Sequence, residues 1–215
     1  MKDDHSLIVY FFMLLSPSDK NLTLPNSLLL HSCCAPCSSA ILEWLRQKKV
    51  PTTVFFYNPN IFPDEEYLKR KDELVRFCEQ ENIPYIEGDY DHLRWREAVK
   101  GLEDEPERGR RCLACFKHRL SATALCARDH NIESFTTTLA GSRWKRQDQI
   151  DAAAAYAVEK VPEVQYFQMN WRKGGLQERR TILLKQYDFY NQQYCGCEFS
   201  MRHLTAKQSS ESDQS

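Results

Sequence analysis

Short apolar runs alternate along the chain with longer stretches whose apolar residues recur at helical spacing. Ser27–His31 (SLLLH) and Thr52–Tyr57 (TTVFFY), rich in Leu, Val and Phe, read as buried strands. Between them, Ser38–Lys48 carries Ile41, Leu42 and Leu45 at helical spacing. After the second, Pro63–Glu81 opens with proline and acids, as helix N-termini do. The same reading predicts strands over Pro84–Glu87, Ser134–Leu139 and Val164–Gln168. It predicts helices over Asp91–Lys100, Arg111–Asp129, Lys145–Lys160 and Leu176–Gln192, with a polar linker over Gly101–Gly109.

This alternation favours an α/β fold, a mostly parallel open sheet with helices on both faces. Ligands of such sheets sit outside the carboxyl ends of the strands. Cys33, Cys34 and Cys37 follow the first strand directly, where a nucleotide-binding protein carries a glycine-rich loop. No internal repeat interrupts the pattern. We expect residues 27–203 to form one α/β metal-binding catalytic domain, preceded by a variable extension (1–26) and followed by a disordered, Ser/Gln-rich tail (204–215).

Composition changes this picture little. The hydrophobic share is 42% and the charged share 27%, ordinary for a soluble domain, and no apolar run is long enough to span a bilayer. Leu7–Leu15 is apolar but follows Asp3 and Asp4 rather than a basic region, so it does not read as a signal peptide. A cytoplasmic protein with no membrane partner is expected. The net charge of −1 draws no polyanion to the whole surface, so nucleic acid would meet a local patch. Two basic runs qualify: Arg108, Arg110, Arg111, Lys117, His118 and Arg119, and then Arg143–Arg146. Each reads equally well as a solvated helix face.

Cysteine changes the picture most. Nine in a chain without a secretory signal argue against disulfides and for metal or redox use. Seven fall in three groups: Cys33-Cys34-Ala35-Pro36-Cys37, Cys112-Leu113-Ala114-Cys115 and Cys195-Gly196-Cys197. Thiolates at such spacings bind iron, iron–sulfur clusters or zinc. Seven exceed the four that one cluster or one structural zinc needs, so a division into four for a cluster and three for a neighbouring single metal follows. Cys112 and Cys115, three apart at a helix start, share one side and one centre. Cys78 and Cys126 stand alone in amphipathic stretches and read as small buried hydrophobes. Zinc stays open as the alternative metal, with a zinc-stabilised RNA-binding module as the matching function.

With these groups in place the chain resembles the cobalamin-independent epoxyqueuosine reductases, the QueH family. The resemblance rests on LLLHSCCAPCSS (Leu28–Ser39), FFYNPNIFPDEEYLKRKDEL (Phe55–Leu74), RCLACFKHRL (Arg111–Leu120), TTTLAGS (Thr136–Ser142) and YCGCEFS (Tyr194–Ser200). It implies a fold related to the HUP and PP-loop-like Rossmannoid proteins. It also implies reduction of the epoxide of epoxyqueuosine in tRNAs with GUN anticodons, those for aspartate, asparagine, histidine and tyrosine, to give queuosine. The implied cofactors are a [4Fe–4S] cluster and a mononuclear iron, and two-electron reduction calls for an external low-potential electron donor.

On this resemblance Cys34, Cys112, Cys115 and Cys197 are assigned to the cluster, and Cys33 and Cys37 to the catalytic side. Cys37 goes to the single iron because some members have Asp at its position. Cys195 is a further metal ligand, and the full division of the seven stays open. Asn58 and Asn60 are expected to bond the cyclopentane hydroxyls, with Asn60 counted as catalytic. Glu66 and Arg70, one helical turn apart, position each other or the substrate. Arg111, Lys117 and Arg119 flank the cluster cysteines and are expected at tRNA phosphates. Trp144, Trp171, Arg172 and Lys173 offer stacking and charge, each aromatic reading also as core. His31 reads as a core histidine or a proton donor. The chain departs from the family pattern at Ser142-Arg143, where relatives tend to have Ser-Pro, and at Asn191, where an Arg often stands. A rival enzyme class is an iron–sulfur tRNA thiolase of ATP-pyrophosphatase fold, but Ser32–Ser38 has no glycine with which to cradle phosphates.

Overall fold

All five residues of β1 (Leu28–Ser32) are buried, as the central strand of a sheet covered on both faces requires. The computed structural model describes residues 22–192 and 194–200. The expected tail, and all but the last residues of the expected extension, lie outside them. β1 pairs in parallel with β2 (Thr52–Phe56) on one side and β4 (Ser134–Thr137) on the other, and β3 (Tyr85–Glu87) and β5 (Gln165–Tyr166) form the edges. The sheet order is β3-β2-β1-β4-β5, wholly parallel.

Among the described residues six α-helices connect and cover the strands: α1 (Ala35–Gln47), α2 (Asp64–Gln80), α3 (His92–Ala98), α4 (Arg110–Asp129), α5 (Gln147–Lys160) and α6 (Leu176–Gln186). Helix α1 packs on α6 and α2, and α4 packs on α5. The chain travels outward from β1 in one direction and from β4 in the other. Right-handed crossovers therefore put the two helical groups on opposite faces. Trp44 of α1 meets Trp171 edge-on at 5.4 Å, and the Trp171 indole N–H donates to Thr136 Oγ1 at 3.3 Å, which ties β4 into the core. None of the helices is long and apolar enough to cross a membrane.

Two boundaries differ from expectation in ways that matter for the site. The strand expected over Ser134–Leu139 stops at Thr137, whose hydroxyl accepts the Leu139 N–H and starts a 3₁₀ turn over Thr138–Gly141. The helix expected to reach Gln192 ends at Gln186; Tyr187 closes it and Asp188 takes the left-handed region at φ +50°. Residues 187–192 thus return as a loop. The strand order reverses between β1 and β4, and the carboxyl ends of these strands open the crevice where ligands of this architecture bind.

Candidate metal centre

Ser32 ends β1, Cys34 caps α1, and Pro36 occupies the first turn, where its missing N–H costs nothing. This tight strand-to-helix passage brings the Cys33, Cys34 and Cys37 sulfurs within 4.8 Å of one another, with Cys33 and Cys34 at 3.8 Å. Sulfurs of a tetrahedral thiolate site sit roughly 3.8 Å apart when each bond is about 2.3 Å, so the trio fits one shared metal with little rearrangement. Hydrogen bonds from its neighbours Cys34 and Cys37 hold Cys33 well below the usual thiol range, with Lys145 adding to the effect against burial. Burial pushes Cys34 well up, and the adjoining Cys33 raises Cys37 to about 11. The three behave as one acid that gives up its first proton at Cys33, a metal-ready arrangement.

Neighbouring side chains hold these sulfurs in place. The Thr138 hydroxyl, from the turn after β4, donates to Cys33 Sγ at 3.4 Å and accepts the Cys33 N–H at 3.2 Å. From the returning loop, Gln192 Nε2 donates to Cys34 Sγ at 3.1 Å and Cys37 Sγ at 3.6 Å, while its Oε1 is buried without a partner.

Cys112 and Cys115 occupy the first turn and a half of α4. Arg108, at φ +66°, directs its backbone N–H onto Cys112 Sγ at 3.3 Å. Burial raises Cys112 to about 11 and Cys197 to about 12, and both are raised further by the charge of Cys195. Burial also raises Cys115, which Arg119 and the Trp95 indole pull back and Cys195 raises again. Cys195 thus bears electrostatically on the other three thiols. Among the described residues the Cys33 trio is the only group drawn within 4.8 Å.

The Cys195–Cys197 segment is held by residues far away in sequence. Ile61 and Cys197 form an antiparallel bridge, and Phe62 N–H donates to Gly196 O at 2.8 Å. Gly196 sits at φ +98°, and a Cβ there would stand 2.9 Å from Ile61 Cγ1 and 3.0 Å from Arg70 Nη1. Only glycine meets both demands. Arg70, 2% exposed, donates to the Tyr194 and Cys195 carbonyls at 3.2 and 3.4 Å and pairs with Glu66 at 2.6 Å.

Burial alone would lower the pKa of Lys145, but Cys195, Cys33 and Cys37 raise it, so its ammonium is retained. Ile61, in the loop after β2, bridges Cys197, and Arg108 bonds both Cys112 Sγ and the Trp144 carbonyl beyond β4, so the other two cysteine stretches are tied to loops at the carboxyl end of the sheet. Cys78 is buried within α2 and Cys126 half-buried within α4, and all nine cysteines are free of disulfides.

The remaining expected site residues divide into inward and open positions. Asn58 is buried, donates to Ser32 O at 2.8 Å and accepts from Arg119, so it joins the loops after β1 and β2. Asn60 is buried and its Oδ1 has no partner. Arg111 is buried and donates to the Leu102, Glu103 and Glu105 carbonyls; Arg119 is buried on the same helix face. Both turn away from solvent, in contrast to the surface phosphate contacts expected of them. Lys117 is half-buried over the Tyr156 ring at 4.6 Å. His31 accepts from Thr137 at Nδ1 (2.7 Å) and donates from Nε2 to Tyr57 O (3.1 Å). Burial, then Arg119, push its pKa down to about 3, which makes it a neutral core histidine. Thr138, Gln192 and Lys145 were not among the expected site residues. Thr138 lies within the TTTLAGS motif, Gln192 two residues before YCGCEFS and Lys145 within the second basic run, and those positions were their only signal.

The sequence profile of the family described as epoxyqueuosine reductase QueH matches residues 28–203. The epoxyqueuosine reductase QueH of Histophilus somni is 48% identical over 177 residues, 82% of this chain and 73% of the relative. That of Acinetobacter baylyi is 46% identical over 184 residues, 84% of each chain. Among solved structures, the U34-tRNA thiolase NcsA from Methanococcus maripaludis with its [4Fe–4S] cluster matches with a TM-score of 0.50. The match covers 92% of this chain and 69% of that one, and at 12% identity it is a likeness of fold alone. With a profile match over the sheet and all three cysteine groups, and relatives at 46–48% identity, the chain belongs to the epoxyqueuosine reductase QueH family.

Proposed function

We propose that this protein removes the epoxide oxygen of epoxyqueuosine in tRNA by two-electron reduction, giving queuosine. The reading is carried by the thiol trio at the β1/β4 crevice, in the position where an ATP-using relative of this fold would cradle phosphates. Cys112, Cys115, Cys195 and Cys197 would hold a [4Fe–4S] cluster, and Cys33, Cys34 and Cys37 a single iron. This grouping departs from the assignment made on the resemblance, because Cys34 lies with Cys33 and Cys37 while Cys195 is felt by Cys112, Cys115 and Cys197. Such centres supply electrons one at a time, from an external low-potential donor, and Lewis acidity toward an oxygen.

The chain's own residues supply the rest. Asn60, whose buried Oδ1 lacks a partner, would accept from a cyclopentane hydroxyl. Lys145 Nζ holds a proton beside the thiols and can deliver it to the departing oxygen, a task His31 cannot perform while neutral and bonded at both nitrogens. Asn58, Glu66, Arg70 and Arg119 act by holding the loops that carry the sulfurs. Lys117 remains the candidate for phosphate contact among the cations flanking Cys115. The substrates are tRNAs with GUN anticodons and the setting is cytoplasmic.

Anaerobic reconstitution with iron and sulfide, a low-potential reductant and epoxyqueuosine-containing tRNA tests this reading by nucleoside mass spectrometry. Loss of one oxygen mass is expected. A gain of sulfur in place of oxygen would favour the thiolase alternative, and colourless zinc-loaded protein with unaltered nucleoside would favour a binding module.

A further inference from the structure

Trp144 is 65% exposed, whereas Trp44, Trp95 and Trp171 are all buried. An indole left in water earns attention when its backbone is fixed, because a fixed aromatic binds with little ordering cost. The Trp144 N–H donates to Ser142 Oγ at 3.3 Å, and its carbonyl accepts from Arg108 Nε at 2.9 Å. The next carbonyl, that of Lys145, accepts from Arg172 Nη2 at 2.6 Å. The Arg143 guanidinium lies 4.9 Å from the ring centroid, and Arg108, which holds the carbonyl, and Arg143 are both exposed.

Two paths of backbone and hydrogen bonds also tie the Trp144 segment to the thiols. The segment continues from the 3₁₀ turn whose Thr138 bonds Cys33, and Arg108, which holds the Trp144 carbonyl, bonds Cys112 Sγ through its own N–H. We propose that Trp144 is a stacking platform for an unpaired anticodon-loop base beside the nucleoside being reduced, with Arg143 and Arg108 neutralising the flanking phosphates. This rests on the reading that the substrate is tRNA. A wobble nucleoside reaches a site at the sheet rim only by leaving its stack, and an aromatic face replaces lost stacking whatever the neighbouring base.

With the other three tryptophans buried, intrinsic fluorescence and acrylamide quenching report on Trp144. Iron-loaded protein is titrated with an anticodon stem–loop RNA carrying a GUN anticodon, and with a fully paired duplex of equal length. Wild type, Trp144→Ala, Trp144→Phe and Arg143→Ala are compared. The stem–loop, and not the duplex, is expected to protect wild-type emission from acrylamide. Trp144→Ala is expected to raise the Kd about 5- to 150-fold. Trp144→Phe should recover most of that loss, and Arg143→Ala should lower the salt slope by about one. A Trp144→Ala Kd within twofold of wild type, with circular dichroism and iron content intact, overturns the platform and assigns the indole to a protein contact. Should wild type still remove oxygen from epoxyqueuosine in that case, only the platform falls. Wild type that binds no stem–loop defeats the platform and the tRNA reading together.

Discussion

Gln192 places an amide N–H on two sulfurs of the trio, at 3.1 Å from Cys34 and 3.6 Å from Cys37, yet glutamine has no metal-site signature and sequence offered no reason to select it. Partners of this kind orient ligands and typically account for 10- to 100-fold in metal affinity. Gln192→Leu is expected to lower iron retention against a competing chelator by a factor of about ten or more, with circular dichroism unchanged; equal retention would make the contact incidental. His31 shows the opposite case, a residue whose bland reading as core was correct. Its folded pKa of about 3 lies below the 6.5 of an ordinary imidazole, so the unfolded chain binds the extra proton between those values. The stability due to the neutral ring is full above pH 6.5 and declines as pH falls toward 3, by about 1.4 kcal/mol per unit. Between pH 7 and pH 5, urea melts of metal-free protein should show wild type losing about 2 kcal/mol more than His31→Gln. A parallel loss in both would show that His31 does not set the slope.

The alternation of short and long periodic segments located β1–β5 and α1–α6, because burial on both faces leaves an unbroken apolar run that spacing alone reveals. Segment ends were less legible. The loop over 187–192 and the 3₁₀ turn over Thr138–Gly141 arise from a left-handed Asp188 and a Thr137 cap, local devices that periodicity does not encode. Arg111 and Arg119 carried a readable signal that the charge run obscured: with Cys115 they fall at i, i+4 and i+8, one face of α4, and all three are buried. The C-terminal crossing over 194–197 leans on α2 through Arg70. Arg70→Met would take the cation from Glu66, which is 11% exposed and keeps its bond from Tyr190, and the donor from two carbonyls, a loss of about 3 kcal/mol, the low end for broken buried pairs. Reconstituted variant is expected to lack the iron and acid-labile sulfide held by Cys112, Cys115, Cys195 and Cys197, and to keep metal at the trio. Full cluster absorption in the variant would count against this anchoring.

Across the whole molecule, strand order was invisible in the sequence, since periodicity reports burial and not neighbours. The three cysteine groups were legible as a need for metal, but that Cys33, Cys34 and Cys37 stand together, and that Cys197 lies against Ile61, emerges only from the fold. The apolar core around β1, Trp95 and Trp171 is built without any thiol ligand beyond Cys34, Cys115 and Cys197 at its margin. Removing iron is therefore expected to leave amide exchange in β1, β2 and β4 slow while exchange over 187–200 accelerates; loss of protection throughout would mean that metal and fold form one cooperative unit.

The antiparallel bridge between Ile61 and Cys197 joins two parts of the chain made at very different times. Cys33 and Cys112 emerge from the ribosome while the last two thiols are still untranslated, so a nascent protein offers five of its seven sulfurs with the final seat missing. On the proposed ligand set, iron delivered at that stage would find an incomplete cage open to oxygen, and the cluster would form only once residues 195–197 have been made.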